Sequence, residues 1–180
     1  MEQLTKAAML SYALKARTKL HHIYLHWTAG SYGSVFPDYH LCIKGDGSVY
    51  ATTPDWTEVL SHTWHRNTGA LGIALCCAYG AQLFADGKME LGDYPPTPAQ
   101  VESVSLLLAY LGPLLGIPLA YPFVMTHAEA ADVDGYGPEM AGTPQFEKWD
   151  LWKLLDYDGT WKNGGDVLRG KAVFYQNLMV

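Results

Sequence analysis

Two histidines occupy the same local context, each after a short strand-like run and before turn-forming residues. His26 follows HIYL and precedes WTAG, and His127 follows FVMT and precedes a stretch containing Gly, Asp and Pro. Imidazoles at strand ends can reach into a cleft, and a catalytic zinc ion takes such ligands while keeping one position open for water. Either histidine alone would be interpreted as a hydrogen-bonded strand residue. The two together favour a metal site.

The composition is that of a folded globular protein. Of the 180 residues, 49% are hydrophobic, 13% aromatic and only 17% charged, which is inconsistent with a disordered chain. The length suits one domain with a buried core. We therefore expect a single domain over residues 1–180, with a core at about 20–158 and an appended N-terminal helix and C-terminal tail.

Charge and cysteine content exclude several classes of function. A net charge of -6 without a run of Lys or Arg does not fit nucleic-acid binding. Cys42, Cys76 and Cys77 are odd in number and lie in apolar runs, so we expect buried thiols and no disulfide framework. Neither a signal-peptide pattern nor a membrane-spanning apolar run is evident, so we expect synthesis in the cytoplasm and no membrane span.

The first half of the chain predicts one helix followed by strands. Helix-forming residues predict a helix at 2–16, and alternation predicts a strand at 22–27. A hairpin is predicted from residues 39–43 and 48–52 around Gly45-Asp46-Gly47. The apolar run at 71–79 indicates a central strand that is buried on both faces.

The second half predicts a long helix and a second strand that ends at a histidine. Thr97-Pro98 begins a helix whose apolar spacing continues up to Gly112-Pro113. Residues 123–126 predict a strand, followed by a functional loop of about twenty residues. A last helix is predicted at 148–156, and the tail after Gly164 is weakly patterned. The predicted fold class is α/β, with a mixed central sheet flanked by helices.

Several segments resemble the zinc-dependent N-acetylmuramoyl-L-alanine amidases of the bacteriophage lysozyme and peptidoglycan-recognition fold (type 2 amidases). They occur in the family's order and span roughly residues 22–155. The matching segments are HWTAG at 26–30, YHLCIKGDGSVY at 39–50, WHRNTGALGIAL at 64–75, TPAQVESVSLLL at 97–108, THAEAA at 126–131 and KWDLWKL at 148–154.

The resemblance implies a zinc site formed by His26, His127 and Asp150. The family's third ligand is an Asp or Cys, and the stretch after His127 also offers Asp132 and Asp134. Asp150 is preferred because it lies in a Lys-x-Asp sequence that matches the family's lysine two residues before the last ligand. The two earlier aspartates are interpreted as solvated charges.

The resemblance also implies roles for residues around the metal. Lys148 matches the lysine that stabilises the oxyanion, and Tyr39 matches a tyrosine that contacts the zinc water and assists proton transfer. His65, with its neighbours Trp64 and Asn67, matches a stretch that positions substrate. Without the resemblance, these residues would be interpreted as solvated or packing side chains.

One position departs from the family pattern. Some members carry a catalytic Glu in a GIEL strand, whereas this chain has Ala74 in GIAL. A subgroup that lacks this Glu uses the tyrosine, so activity is compatible with Ala74 if Tyr39 takes part. Glu129 is a candidate substitute acid or base, although a surface carboxylate is the simpler interpretation. His40 is a candidate cleft residue beside Tyr39.

The implied function is hydrolysis of the amide between N-acetylmuramic acid and L-alanine in peptidoglycan or muropeptides. The enzyme would act on the cell wall once released, as an endolysin or autolysin does, with a phage or prophage as one source, or would recycle wall fragments in the cytoplasm. A monomer is expected. The alternatives are a peptidoglycan-binding module without turnover and a zinc peptidase that cleaves within the stem peptide.

Overall fold

The structure is a computed structural model that describes residues 1–179. It contains four α-helices and ten short strands within that range. The helices are α1 (Lys6–Ala16), α2 (Pro98–Leu115), α3 (His127–Asp134) and α4 (Gly164–Leu178). The strands are β1 (Glu2–Gln3), β2 (His22–Trp27), β3 (Leu41–Ile43), β4 (Val49–Ala51), β5 (Ala70–Leu75), β6 (Gln82–Leu83), β7 (Met89–Glu90), β8 (Val124–Thr126), β9 (Lys153–Leu155) and β10 (Trp161–Asn163).

Six of the strands form one mixed sheet in the order β1-β4-β3-β5-β2-β8. Strands β3, β5, β2 and β8 are mutually parallel, and β4 and β1 extend the sheet by antiparallel pairing. All six residues of the central strand β5 are buried, as its continuous apolar sequence predicts. The predicted α/β class, with a mixed central sheet, is therefore confirmed.

Side chains alternate between the two faces of the sheet, and this alternation separates the core from the candidate site. In β2, Ile23, Leu25 and Trp27 belong to the main hydrophobic core. Tyr24 belongs to a separate small cluster, so His26, two residues further along, lies on that same second face. Register in β2 thus directs His26 away from the main core.

Helices α1, α2 and α4 contribute the other half of the main core. Their buried residues in that cluster are Ala13, Ala16, Val104, Leu107, Leu108, Leu111, Leu115, Val167, Leu168 and Ala172. Helix α2 makes its most extensive contacts with α4. Because both ends of the chain contribute buried residues, we propose that the single domain includes α1 and α4 in its core, beyond the range of about 20–158.

The first half of the chain follows the predictions closely. The strand at 22–27 and the hairpin around Asp46-Gly47 are confirmed, although the hairpin strands are shorter than predicted. The predicted helix at 2–16 begins at Lys6, because Thr5 caps it and the residues before Thr5 pair with β4. Helix α2 continues past Pro113 and ends at Gly116, whose left-handed backbone (φ 73°) closes it.

The long loop predicted after His127 is wrong. Helix α3 occupies His127–Asp134, and a short 3-10 helix occupies Pro138–Met140. Thr126 and Glu129 form a reciprocal capping box, in which each side chain accepts a hydrogen bond from the other residue's backbone N–H. This T-x-x-E pattern begins a helix, and it was the sequence signal for α3.

The predicted helix at 148–156 is also wrong, and the tail after Gly164 is helical. Strands β9 and β10 form an antiparallel hairpin instead, joined by a turn that includes Asp158-Gly159. An Asp-Gly pair between strands is a typical hairpin signal. Asn163 then caps α4 by accepting a hydrogen bond from the Asp166 backbone N–H.

The three cysteines are buried and free, as predicted, and none is in a disulfide within residues 1–179. In the same part of the chain, no helix combines the length and apolar character needed to span a membrane.

A buried ion pair joins α4 to the start of α3. Arg169 donates to both carboxylate oxygens of Glu129, at 2.8 Å each, and to the Val124 carbonyl at 2.9 Å. The two charged side chains are only 9% and 11% exposed. Glu129 is therefore neither a surface carboxylate nor a cleft residue. It holds α3 in place together with the capping box.

We predict that Glu129→Ala destabilises the fold by about 3 kcal/mol, because the buried Arg169 is left, among the described residues, with the carboxylate of Asp166, which is 75% exposed, as its charged partner. Urea unfolding measures the change. The control is Lys88→Ala, which removes an exposed pair with Glu90 and is expected to change stability by less than about 1 kcal/mol. Equal effects in the two variants would contradict the structural role of Glu129.

Candidate metal centre and active-site cleft

His26 lies near the end of β2, in the middle of the parallel part of the sheet, and is fully buried. Its backbone is held in the sheet, because His26 pairs with Ala74 of β5 and the residues of β2 up to Leu25 pair with β8. The imidazole Nδ1 is 3.1 Å from Nδ1 of His127. At this separation the two Nδ1 atoms could both bind one metal ion.

His127 is brought there by the junction of β8 with α3. Strand β8 ends at Thr126, which caps the helix, and His127 is the first helical residue. The side chain is 5% exposed. The sequence predicted that both histidines lie at strand ends, and the parallel pairing of β2 with β8 explains why they meet.

Asp150 completes the group from a separate segment that precedes β9. Its Oδ2 lies 3.6 Å from Nδ1 of His26 and 3.5 Å from Nδ1 of His127. The Asp150 backbone carbonyl accepts a hydrogen bond from the Ala128 N–H at 3.2 Å, which connects this segment to α3. His26, His127 and Asp150 are together a group of donors that could hold a metal ion.

The donor set fits a zinc ion. Zn–N and Zn–O bonds of about 2.0–2.1 Å at tetrahedral angles place ligand atoms about 3.3 Å apart, and the three separations here lie close to that value. Two imidazole nitrogens and one carboxylate are also a recurring ligand set of catalytic zinc. Asp132 and Asp134, the alternative carboxylates, are not part of this group.

Burial and mutual contact set the protonation of His26 and Asp150. Burial lowers the pKa of His26 to about 4, and the hydrogen bond with Asp150 opposes this shift only in part. Burial by itself would raise the pKa of the Asp150 carboxyl, but hydrogen bonds with His127 and His26 hold that pKa well below its usual range. A neutral imidazole and an ionised carboxylate are the forms that bind a metal.

Hydroxyl groups contact the outward nitrogens of both histidines. Nε2 of His26 is 3.2 Å from Oγ1 of Thr63, and Nε2 of His127 is 3.4 Å from the hydroxyl of Tyr136. A histidine that donates its outward N–H to such an oxygen presents the lone pair of its other nitrogen inward. The surroundings therefore support inward-facing Nδ1 acceptors.

A cleft of about 440 Å³ opens beside the three donors. Tyr39 and Lys148 line it together with Asp150. The Tyr39 ring centroid is 5.1 Å from that of His26, and the Tyr39 hydroxyl donates to the Trp27 carbonyl at 3.4 Å. Burial, followed by the negative charge of Asp150, raises the Tyr39 pKa above its usual range, so the hydroxyl keeps its proton at neutral pH.

Lys148 is half-exposed at the edge of the cleft. Its ammonium is 3.6 Å from Glu147 Oε1, and the two side chains are 43% and 68% exposed. Its charge contributes to the lowered pKa of His26, which places it within electrostatic range of the donors. A loosely paired cation next to a candidate metal centre can interact with negative charge on a bound molecule.

Trp64, His65 and Asn67 also line the cleft, but in different ways. Trp64 is 61% exposed and its ring lies 4.0 Å from that of His65, centroid to centroid. Asn67 has a second contact, because its Oδ1 accepts hydrogen bonds from the backbone N–H groups of His62 and Thr63 at 3.1 and 2.7 Å. Asn67 therefore shapes the loop that borders the cleft.

His62 is a cleft residue that sequence reasoning did not identify. Its side chain is buried, lines the cleft, and lies edge-on to His26 with 5.3 Å between ring centroids. Burial, then the neighbouring His26, lowers its pKa, so the ring is neutral. Gly72 makes room for it, because a Cβ at Gly72 would lie 2.6 Å from the His62 ring. The sequence shows no signal for this contact.

Other candidates are held elsewhere by specific partners. His40 is fully buried, and its Nδ1 accepts a hydrogen bond from the Gly72 N–H at 3.0 Å. It does not line the cleft. Asp134 is not merely solvated, since Arg66 binds it through two hydrogen bonds of 2.7 and 2.6 Å. Asp132 accepts from the Glu139 N–H. Ala74 packs in a small buried cluster with Cys42 and against Tyr39.

A larger apolar groove of about 540 Å³ lies elsewhere, between the start of α2 and the β9–β10 hairpin. Tyr157 and Trp161 line it, and the histidine cluster does not. The cleft beside His26 is therefore the candidate site, because it combines the donor group with Tyr39 and Lys148.

The fold and site define an α/β protein with a candidate metal centre at the ends of parallel strands. The family model described as N-acetylmuramoyl-L-alanine amidase matches residues 15–139. The chain belongs to this family, and the resemblance found in the sequence is confirmed. The matched range includes His26 and His127 and ends before Lys148 and Asp150.

Solved structures similar to this chain include proteins from a bacterium, a bacteriophage and an animal. The amidase LysC from Clostridium intestinale URNW is 21% identical, with a TM-score of 0.43, covering 71% of this chain and 79% of that one. The Ph2119 endolysin of a Thermus scotoductus bacteriophage is 22% identical, with a TM-score of 0.41 and coverages of 62% and 73%. Drosophila PGRP-LB is 16% identical, with a TM-score of 0.43 and coverages of 72% and 84%. No curated protein matches significantly.

We predict that Asn67→Ala destabilises the protein by about 1–3 kcal/mol, because two backbone N–H groups lose their acceptor. Chemical unfolding of Asn67→Ala and of its neighbour Thr68→Ala, which changes an exposed side chain, measures the difference. If Asn67 only contacted a bound molecule, the two variants would be equally stable.

Proposed function

We propose that the protein is a zinc-dependent N-acetylmuramoyl-L-alanine amidase that hydrolyses the amide between N-acetylmuramic acid and L-alanine in peptidoglycan. The observation that carries this proposal is the convergence of His26, His127 and Asp150 beside a cleft lined by Tyr39 and Lys148. Family membership supports the reaction class. Peptidoglycan or a soluble muropeptide is the proposed substrate.

His26, His127 and Asp150 would hold the zinc ion. When bound, zinc supplies Lewis-acid polarisation of the carbonyl and a water whose pKa is lowered towards neutrality. With both imidazoles in the neutral, metal-binding form, the three donors would carry one negative charge, and a bound zinc ion would retain net positive charge. The sheet and α3 fix the donor atoms on one side, and the cleft is the side from which an amide would approach.

Lys148 would stabilise the negative charge that develops on the amide oxygen. Its half-exposed ammonium lies at the edge of the cleft, and within residues 1–179 its charged partner is Glu147, at 3.6 Å. Preorganised cations at such positions act on the charge of the transition state more than on that of the substrate.

Tyr39 would hold a proton at its hydroxyl oxygen. Because burial raises its pKa, the phenol remains a hydrogen-bond donor at neutral pH. Ala74, which stands where some relatives carry a Glu, leaves an apolar surface under the Tyr39 ring. The hydroxyl of Tyr39 is therefore the proposed group for moving a proton towards the leaving amine.

Trp64 and His65 would contact the substrate at the rim, because both line the cleft and are exposed. An enzyme of this kind would act on the cell wall after release, as an endolysin does, or on wall fragments inside the cell.

The reaction is tested by mass spectrometry of digested peptidoglycan. We expect intact stem peptides with a free L-alanine amino group, released from the glycan only when zinc is present. Saturable wall binding without hydrolysis at any zinc concentration would instead support a binding module. Fragmented stem peptides would support a zinc peptidase.

We predict that Asp150→Asn and His26→Ala each abolish stoichiometric zinc binding and hydrolysis, since two donors do not hold the ion. Plasma emission spectrometry gives the zinc-to-protein ratio. Asp132→Asn is the matched control, because Asp132 lies outside the donor group. Retention of zinc in Asp150→Asn and its loss in Asp132→Asn would assign the third ligand to Asp132.

Lys148→Met should keep zinc and lower kcat by roughly 100- to 1,000-fold, the usual effect of removing one oxyanion-stabilising group. Lys153→Met is the control, because Lys153 lies over the Trp152 ring and does not line the cleft. Steady-state kinetics on a defined muropeptide measures both. Unchanged kcat in Lys148→Met would exclude this role for Lys148.

A further inference from the structure

Thr63 lies between two buried histidines. Its side-chain oxygen is 3.2 Å from Nε2 of His26 and 2.9 Å from Nδ1 of His62. The residue is only 1% exposed, and both rings are buried. The three side chains form a continuous hydrogen-bonded row that ends at the proposed zinc ligand.

The chemistry of this row links the tautomers of the two histidines. A hydroxyl donates one hydrogen bond, and a neutral imidazole carries one N–H. Among the described residues the Thr63 hydroxyl has no other hydrogen-bond partner, so its single proton is donated to one of the two histidines and the other histidine can donate to it. If His26 carries its proton on Nε2, this N–H donates to the Thr63 hydroxyl, and the hydroxyl donates to Nδ1 of His62.

Only one arrangement of donors and acceptors among these three side chains leaves Nδ1 of His26 free for a metal ion. When His26 donates from Nε2 to Thr63, its Nδ1 has a free lone pair facing His127 and Asp150. In the opposite direction Thr63 donates to Nε2, and the proton of His26 occupies Nδ1. That proton would stand where a metal ion must bind, because Nδ1 is the nitrogen nearest His127 and Asp150.

We propose that Thr63 is a positioning residue that sets the metal-binding tautomer of His26. Its hydroxyl accepts a hydrogen bond from Nε2 of His26 and donates one to Nδ1 of His62, which leaves Nδ1 of His26 free to bind a metal ion. The inference rests on the proposed zinc site. It adds two residues, Thr63 and His62, that are not among the three metal donors. His62 acts in it as the acceptor at the outer end of the row.

The loop is built to keep Thr63 in this place. The side-chain Oδ1 of Asn67 accepts hydrogen bonds from the backbone N–H groups of both His62 and Thr63. Gly72 leaves the space that the His62 ring occupies against β5. Arg66, in the same loop, is paired with Asp134 at the end of α3. The hydroxyl of Thr63 is thus held against His26 from several sides.

The test compares Thr63→Val, which keeps the shape and removes the hydroxyl, with Thr63→Ser, which keeps the hydroxyl. Zinc affinity is measured by competition with a chromophoric chelator, and the visible absorption spectrum of the Co²⁺ form reports the ligand geometry. We expect Thr63→Val to bind zinc about 10- to 100-fold more weakly, the usual effect of losing an outer hydrogen bond to a metal-binding histidine. Thr63→Ser should retain the affinity and spectrum of the wild type.

Folding is checked by thermal unfolding, and Thr63→Ala replaces Thr63→Val if the valine variant does not fold. Wild-type affinity and an unchanged Co²⁺ spectrum in the folded variant would overturn the inference while leaving the zinc site intact. Equal losses in Thr63→Val and Thr63→Ser would also overturn it, since the hydroxyl would then not be the cause. Absence of zinc binding in the wild type would overturn both this inference and the proposed function.

Discussion

Two imidazoles and a carboxylate are buried with 3.1 to 3.6 Å between their donor atoms, and neighbouring polar groups offset the cost of burying them. Burial disfavours charge, which is why the pKa of His26 falls, while the histidines keep the pKa of Asp150 below its usual range. Each outward imidazole nitrogen meets a hydroxyl, from Thr63 or Tyr136. A polar group of this kind would be costly in an apolar core if its members were left unpaired. The group is stable here because each of its members has polar partners that offset the cost of burial.

Helix α3 is the element that brings the separate segments to this group. Its first residue is His127, and its second donates a backbone hydrogen bond to the Asp150 carbonyl. Glu129 connects it to α4 through Arg169, and Asp134 connects it to the loop that carries Thr63. This short helix buries only small apolar side chains, those of Ala128, Ala130 and Ala131, and ion pairs and backbone hydrogen bonds add to what holds it in place. Its position in turn determines where the third donor and the cleft loop lie.

Much of the fold and of the candidate site could be predicted from local sequence. The strand at 22–27 and the strand ending at Thr126 have clear alternating or apolar patterns, so the two histidines were placed correctly at strand ends. The sequence predicts a helix at 148–156, but residues 153–155 pair with residues 161–163 and form a hairpin instead. The capping box at Thr126 was a readable signal for α3. No comparable signal marks His62, because its position depends on the space left by Gly72, a neighbour in the sheet and not in the loop.

The sequence by itself determined the α/β class, the family, and the residue types available for a metal centre, since these follow from periodicity and from short motifs in a fixed order. The tertiary structure decided which atoms of those residues face one another. Parallel pairing of β2 with β8 sets the 3.1 Å approach of His26 to His127, and α3 brings in Asp150 from a distant segment. Nitrogen choice, tautomer and outer partners such as Thr63 depend on distances of a few tenths of an ångström. Spacing along a chain does not contain that information, because it arises only when separate elements pack together.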